Sequence, residues 1–344
     1  MPTLPTLLIT MGDAAGIGPE LLARAWLTPE LHTLCQPLLV GSVARLRASL
    51  SGMGAAVEVR QLGSVADAHW SKTSPTTPLE CWEPAGAPDV AEVIWGRPDA
   101  RAGQAAHDYL VAAIDVCLAR TAHGIVTAPL HKGSLHAAKL PYPGHTEILA
   151  ERTGTQRFAM MLYGAGVGVA HVTLHLALRD VFTHLSTERI YETIELVAET
   201  MERIDGRPAR IGVFGLNPHA GDGGLFGDEE QRLIAPAVVA ARKAGIEVTG
   251  PWPSDTLFGR ARRGEFNGLV ALYHDQGHIG MKLLAGYQAV NLSLGLPILR
   301  TSVAHGTAFD IAGQFHADPT SLLEAVRVAA RLARTCPPPG HPLT

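Results

Sequence analysis

The sequence predicts an α/β protein of two domains with a mostly parallel sheet. Short apolar runs of strand length alternate throughout with stretches whose apolar residues recur at helical spacing. Several of those runs empty into glycine-rich or polar exits, and open α/β sheets bind ligands at the carboxyl ends of their strands. The 344 residues also exceed what one small core accommodates, at roughly 150 residues per domain.

The elements follow in chain order. Leu7-Leu8-Ile9-Thr10-Met11 is a strand that empties into Gly12-Asp13-Ala14-Ala15-Gly16-Ile17-Gly18-Pro19-Glu20, with a helix through Leu21, Leu22 and Ala25. Pro19 suits a first helical turn. The loop reads either as an anion site at a helix start or as a tight turn with no ligand. Leu38-Leu39-Val40 and then Gly41-Ser42 open a second strand–helix unit, and Val57 to Gln61 is a further strand. From Gly63 to Pro98 the chain is rich in Pro, Ser, Thr and Ala, with Trp70, Trp82 and Trp95, and reads as an irregular surface excursion. Tyr109, Leu110, Ala113, Ile114, Cys117 and Leu118 give residues 102–122 one apolar helical face.

Gly124 to Pro129 is the next strand, and Pro141-Tyr142-Pro143-Gly144-His145-Thr146-Glu147 leads into a helix from Ile148. His145 and Thr146 add two side-chain donors to the free N–H groups of a first turn. Capping by Thr146 and Glu147 is the plainer reading, and it leaves His145 unexplained. Phe158 to Tyr163 and Val167 to Thr173 are two strands around a glycine-rich turn, and strand alternation would put His171 and His175 on one face. A long helix spans 188–204. Ile211 to Leu216 is a strand whose exit is Asn217-Pro218-His219-Ala220-Gly221-Asp222-Gly223-Gly224. Helix 229–244, a strand at Glu247-Val248 and a short helix from Asp255 lead to Leu269-Val270-Ala271-Leu272-Tyr273. That buried strand delivers His274-Asp275-Gln276-Gly277-His278, with Lys282 close behind. Val290 to Arg300, then Thr301 to Gly313, and a last helix over 322–333 follow, ahead of a Pro-rich tail at Pro337-Pro338-Pro339 that is expected to be disordered.

Composition narrows the function classes. A net charge of −4 without any block of like charge argues against a nucleic-acid groove or a membrane-attracted face. Cys35, Cys81, Cys117 and Cys336 lie far apart, as reduced thiols of a cytoplasmic protein do. The Met-Pro-Thr-Leu-Pro start is not a signal peptide, and no run reaches the ~18 apolar residues of a membrane span.

Three strand exits carry histidine: His175, His219 and His274. Imidazoles from separate strands, without the local spacing of a zinc finger, leave coordination positions open as a catalytic metal site requires. The imidazole donors alone leave the metal's identity open. Asp255 and Asp275 are candidate extra ligands or partners that orient the imidazoles.

The motifs Met-Gly-Asp-x-x-Gly-Ile-Gly-Pro-Glu, Gly-His-Thr-Glu, Asn-Pro-His-Ala-Gly, His-Asp-Gln-Gly and Arg-Thr-Ser-x-x-His-Gly-Thr-Ala together resemble the 4-hydroxythreonine-4-phosphate dehydrogenase family, in order from Leu7 to Ala333. The resemblance implies a fold similar to isocitrate and isopropylmalate dehydrogenases, with the active site in the interdomain cleft. Residues 1–125 and 286–344 would form a cofactor-side domain, and 126–285 a metal, substrate and dimerisation domain. It implies NAD or NADP and one divalent metal per site (Zn, Mg, Co or Mn) on His175, His219 and His274. Substrate residues would be His145, Thr146, Lys282, Asn291 and Arg300, and cofactor residues Gly306, Thr307 and Asp310. Lys282, Asp255 and Asp275 would be the catalytic groups, and a homodimer would share its sites, with His274 serving the neighbour. The reaction implied is oxidation of the 3-hydroxyl of 4-phosphooxy-L-threonine and loss of CO2, to 3-amino-2-oxopropyl phosphate on the route to pyridoxal phosphate. A divalent cation would lower the hydroxyl's pKa and then take up charge as CO2 leaves.

Departures from the family pattern bear on substrate. Ala14 and Ala177 stand in place of prolines, and Ala304 in place of an acid. His278 is more similar to two related groups, which oxidise 4-phospho-threonate or -erythronate, or the cis-dihydrodiol of terephthalate. Gly-His-Thr-Glu disfavours the dihydrodiol. A metal-dependent hydrolase is the rival class, and it would have no use for the His305-Gly306-Thr307-Ala308 loop.

Overall fold

Strand β1 (Thr6–Thr10) is buried at every position, as a strand with parallel neighbours on both sides must be. Those neighbours are β2 (Gln36–Val40) and β5 (Gly124–Thr127). The computed structural model describes residues 4–69 and 73–335, so Trp70, Cys336 and the expected Pro-rich tail lie outside the described residues. Helices α1 (Gly18–Trp26) and α2 (Leu31–Leu34) connect β1 to β2, and α3 (Val43–Gly52) follows. Strands β3 (Val59–Leu62) and β4 (Leu79–Trp82) extend the sheet from β2. β4 lies inside the stretch expected to be irregular. Four residues are too few to show alternation, and its buried Glu80 is met by Arg60 on β3 at 2.8 Å and by the His69 N–H at 3.1 Å.

Helix α4 (Ala100–Leu118) starts on Asp99, whose side chain accepts from the Arg101 N–H, and buries Tyr109, Leu110, Ala113, Ile114 and Cys117 of the expected face, whereas Leu118 is exposed. After β5 come α5 (Lys132–Ala137) and α6 (His145–Thr153), which ends on left-handed Gly154.

The second unit opens with the antiparallel hairpin β6 (Ala159–Gly164) and β7 (Val167–His171). Helix α7 (Leu178–His184) precedes α8 (Thr187–Asp205), which Ser186 caps. Ile190, Ile194, Val197, Met201 and Ile204 of α8 are buried, each worth about 1.5–3 kcal/mol against exposure. Strand β8 (Ile211–Phe214) is followed by a π-helical turn, Glu230–Ile234, that runs into α9 (Ala235–Lys243). β9 (Val248–Trp252), α10 (Ser254–Arg262), β10 (Gly268–Ala271), α11 (His274–Ala285) and β11 (Val290–Leu294) complete the unit. Its strand order is β11-β6-β7-β10-β8-β9, parallel from β7 to β9. The chain then returns through β12 (Leu299–Val303), parallel to β5, and α12 (Thr320–Ala333).

The two compact units are thus the described residues up to Thr155 with those from Leu296, and Gln156–Gly295. The joins expected from sequence stood at 125/126 and 285/286. Helix α6 packs on α4 of the first sheet, so His145 and Thr146 stand in that unit, while β11 pairs with β6 and brings Asn291 into the other. Cys35, Cys81 and Cys117 are free and buried, which pushes the Cys117 thiol up to about 12 and the other two further. No helix among the described residues is long and apolar enough to cross a membrane.

Candidate functional site

In the second unit the exits of three adjacent parallel strands are tied together by polar groups. Past the end of β7, the Thr173 hydroxyl donates to the Leu272 carbonyl at 2.7 Å. The Leu272 N–H donates to Gln276 Oε1 at 2.7 Å, and Gln276 Nε2 donates to the Gly215 carbonyl past β8 at 2.7 Å and to Ser254 Oγ at 2.9 Å. These are the exits that lead to His175, His274 and His219. Thr173 and Ser254 had no role in the sequence reading, and Gln276 entered it only as part of the polar cluster after the strand. The only signal was an amide one turn into a helix that follows a buried strand.

His171 and His175 do not share a strand face. β7 stops at His171, which is fully buried, and His175 lies four residues on in an exposed turn. The bonds to Leu272 draw the chain toward β10 before alternation reaches His175. His274, half-buried at the start of α11, has its ring centroid 6.0 Å from that of His175, and its Nδ1 meets Asp275 Oδ1 at 2.7 Å. His278 stacks on His274 at 3.7 Å and shares a hydrogen bond with His171, 3.1 Å between ring nitrogens. Burial and the neighbouring imidazoles lower His171 to about 3 and His278 to about 4, so both are neutral at physiological pH. A cavity of about 330 Å³ opens beside them, lined by Leu174, His175, Leu178, Val181, Tyr273 and His274.

His219 sits in a turn of unusual backbone. His219, Ala220 and Asp222 have φ of 55°, 55° and 43°, with left-handed Gly221 and Gly223 among them. Non-glycine residues there cost roughly 1–2 kcal/mol each. The His219 ring is exposed and lies 6.3 Å from that of Phe226. Asp255 is exposed in the first turn of α10. Imidazoles are the right donors for a divalent transition ion. Among the described residues, however, no three His, Cys, Asp or Glu side chains are grouped so as to hold one.

His274, His278 and Lys282 follow one stripe of α11 at intervals of four. Lys282 is exposed and lies near enough for its charge to help keep His278 neutral, after burial and His274. Asn291 on β11 donates from Nδ2 to Met160 Sδ at 3.4 Å, and its Oδ1 is buried with no partner.

In the first unit α6 begins at His145, three residues before the expected Ile148. Its N-cap is Gly144, with no side-chain cap, so Thr146 is a first-turn residue and not the cap. Arg300 on β12 is 2% exposed and donates from Nη2 to Thr127 Oγ1 at 2.7 Å. Burial lowers its pKa to about 9 against the opposing pull of Glu147. Burial and the Arg300 charge keep His145 well below its usual value, so its ring is neutral. A helix start, a neutral imidazole, a hydroxyl and a guanidinium form a setting that favours an anion.

Elsewhere in that unit several N–H groups of the Gly12–Gly18 loop are bonded within the protein. Asp13 donates to the Pro129 carbonyl, Ala15 to Asp13 Oδ1, and Ile17 to the Thr307 carbonyl. These bonds hold the loop as a tight turn. Its work is to seat the loop of Gly306, Thr307 and Asp310. A Cβ on Gly16 would lie 2.8 Å from Thr307 Cβ, so only glycine lets the two loops meet. Thr307 is buried, whereas Gly306 and Asp310 are exposed.

Residues 33–329 match the family model described as pyridoxal phosphate biosynthetic protein PdxA. The chain is 42% identical over 332 residues to the 4-hydroxythreonine-4-phosphate dehydrogenase of Geobacter metallireducens, covering 96% of each chain. It is 43% identical over 335 residues to the D-threonate 4-phosphate dehydrogenase of Cupriavidus necator, covering 96% of this chain and 98% of that one. A crystal structure of 4-hydroxythreonine-4-phosphate dehydrogenase from Klebsiella pneumoniae superposes with a TM-score of 0.84 at 39% identity, over 96% of this chain and 99% of that one.

Proposed function

We infer the reaction from membership: the chain belongs to the pyridoxal phosphate biosynthetic protein PdxA family and is a dehydrogenase of that kind. We propose that it oxidises the 3-hydroxyl of a four-carbon hydroxy acid phosphorylated at C4, with 4-phosphooxy-L-threonine as the first reading. The observation that carries this is the uncapped start of α6, where His145 and Thr146 stand beside the Arg300 charge. The phosphate would take the first-turn N–H groups and the Thr146 hydroxyl, and His145 would offer a neutral N–H. Arg300, Lys282 and the Asn291 amide would hold the substrate's remaining polar groups.

NAD or NADP, on the Gly306-Thr307-Asp310 loop, would accept the hydride, and a divalent ion (Zn, Mg, Co or Mn) on His175, His219 and His274 would acidify the hydroxyl. Lys282 is our candidate for the group that receives the hydroxyl proton. Asp275 would fix the ring orientation of His274, and Asp255 would serve the same cluster. A β-keto acid left by the oxidation loses CO2, and the Lys282 and Arg300 charges would favour the electron-rich product. The donor set would be completed in a homodimer, with His274 serving the neighbouring site. Ile279, Leu283 and Tyr287 support that reading, being 59%, 84% and 83% exposed on and just beyond α11. The compartment would be the cytoplasm, where buried free thiols stay reduced.

A second reading, D-threonate 4-phosphate, rests on His278, the position that resembles the phospho-threonate group, and on the 43% identity to the D-threonate 4-phosphate dehydrogenase of Cupriavidus necator. The test supplies the purified, metal-reconstituted protein with each phosphorylated acid, with the terephthalate dihydrodiol, and with NAD or NADP. Nicotinamide reduction with a phosphorylated acid is the expected result. Turnover of the dihydrodiol alone would move the substrate out of the phosphorylated class, and phosphate release without reduction would identify a hydrolase.

A further inference from the structure

The turn that carries His219 runs against the preference of its own backbone, and one buried carboxylate meets it from the next helix. Glu230 is 4% exposed. Its Oε1 accepts from the backbone N–H groups of Leu216 and Asn217, both at 2.7 Å. Its Oε2 accepts from Asn217 Nδ2 at 3.0 Å. Leu216 and Asn217 come just after β8 ends, where the sheet ladder no longer supplies acceptors. A Cβ on Gly221 would lie 2.7 Å from Glu230 Oε2, so the turn closes directly over the carboxylate. Burial alone would raise the Glu230 carboxyl, but the hydrogen bonds from Asn217 and Leu216 hold it below its ordinary range, as an anion. Glu230 also opens the π-helical turn that leads into α9. Such widened turns occur often at functional sites.

We propose that Glu230 is a positioning residue, anchoring Leu216 and Asn217 and thereby fixing the left-handed turn that presents His219 at the strand exit. This rests on the reading of His219 as a functional side chain. Three non-glycine residues hold left-handed φ only while their surroundings over-determine them. With the anchor gone, His219, Ala220 and Asp222 relax toward right-handed or extended backbone and carry the imidazole away.

The experiment reads amide hydrogen exchange in peptides spanning 214–218 and kcat/KM in the same full-length proteins, well below their Tm. In Glu230→Ala, exchange at Leu216 and Asn217 rises and kcat/KM falls about 10–100-fold, the loss of charged hydrogen bonds. Glu230→Gln keeps an oxygen for both backbone N–H groups and gives up only the 3.0 Å bond from Asn217 Nδ2, which still donates to Glu229 Oε2 at 2.7 Å, so both readouts return to within about threefold of wild type. A purely structural role would lower Tm in both variants and leave kcat/KM unmoved. Wild-type exchange or wild-type kcat/KM in Glu230→Ala overturns the proposal, as does a Gln variant as damaged as the Ala variant. Should Glu230→Ala fail to fold, the Gln variant decides alone: near-wild-type values support the anchor and a full loss overturns it. His219→Ala separates the two readings. Wild-type turnover there removes His219 from function and with it the positioning role, and the exchange data then report only on the anchor.

Discussion

Thr146 offers one hydroxyl to a helix start that no side chain caps, and its worth depends on what arrives there. If that is a phosphate, Thr146→Val lowers kcat/KM about 10–100-fold, because a charged hydrogen bond contributes roughly 1.5–3 kcal/mol. The dihydrodiol, with no dianion, loses much less. Steady-state kinetics on both substrates decide it, and equal losses would take the phosphate away from α6. His32 shows the same dependence on surroundings in a stability role. It is buried on α2, with Nε2 bonded to the Trp26 carbonyl and Nδ1 to Thr73 Oγ1, both at 2.7 Å. Burial lowers its pKa in the folded chain. Below about 6.5 the unfolded chain therefore binds a proton that the folded one refuses. This contribution is complete above that pH and is lost as pH falls toward the folded pKa. His32→Gln removes it, so the Tm of the variant declines less steeply between roughly pH 7 and 5. Parallel Tm curves would show that His32 does not titrate on unfolding.

Elements meet where a missing side chain lets them. The loop before α1 and the loop after β12 touch through Gly16 and Thr307, and a Cβ on Gly16 would also lie 2.9 Å from the Thr307 carbonyl oxygen. Overpacking of that kind costs typically 1–3 kcal/mol. Gly16→Ala therefore displaces the proposed cofactor loop and raises KM for NAD or NADP by about tenfold, with KM for the phosphorylated acid changed far less. A fall in Tm with both KM values intact would make the contact structural only. On α11, turns of helix sort side chains by face: His274, His278 and Lys282 on one stripe, Ile279 and Leu283 on the next.

For the whole molecule, Ile279, Leu283 and Tyr287 form an exposed apolar stripe, which the proposed homodimer would cover. Leu283 is 84% exposed in the single chain, where aspartate would be harmless. In a dimer built on this face, Leu283→Asp buries a charge, and light scattering shows the mass drop from twice the chain to one chain. Activity falls with it, while circular dichroism stays that of the folded chain. An unchanged dimer would place the interface elsewhere.

Local pattern determined much about this protein. Apolar runs of strand length, helical faces such as Tyr109-Ala113-Cys117 and the glycine-marked turns are set by neighbours in sequence, so the α/β class and most elements were legible. So were the histidine-bearing exits, because a polar cluster after a buried strand is itself a local signal. Tertiary structure decided the rest. β4 exists because Arg60 and the edge of β2 receive it. β7 stops short of His175 because Leu272, about a hundred residues on, captures Thr173. The Gly12–Gly18 loop turns inward because Thr307 waits on the far side of the chain. Gln276 and Glu230 acquire their work from backbone groups left over where strands end. Hydrogen-bond partners so distant in sequence leave no period and no spacing to read, since what joins them is the fold itself.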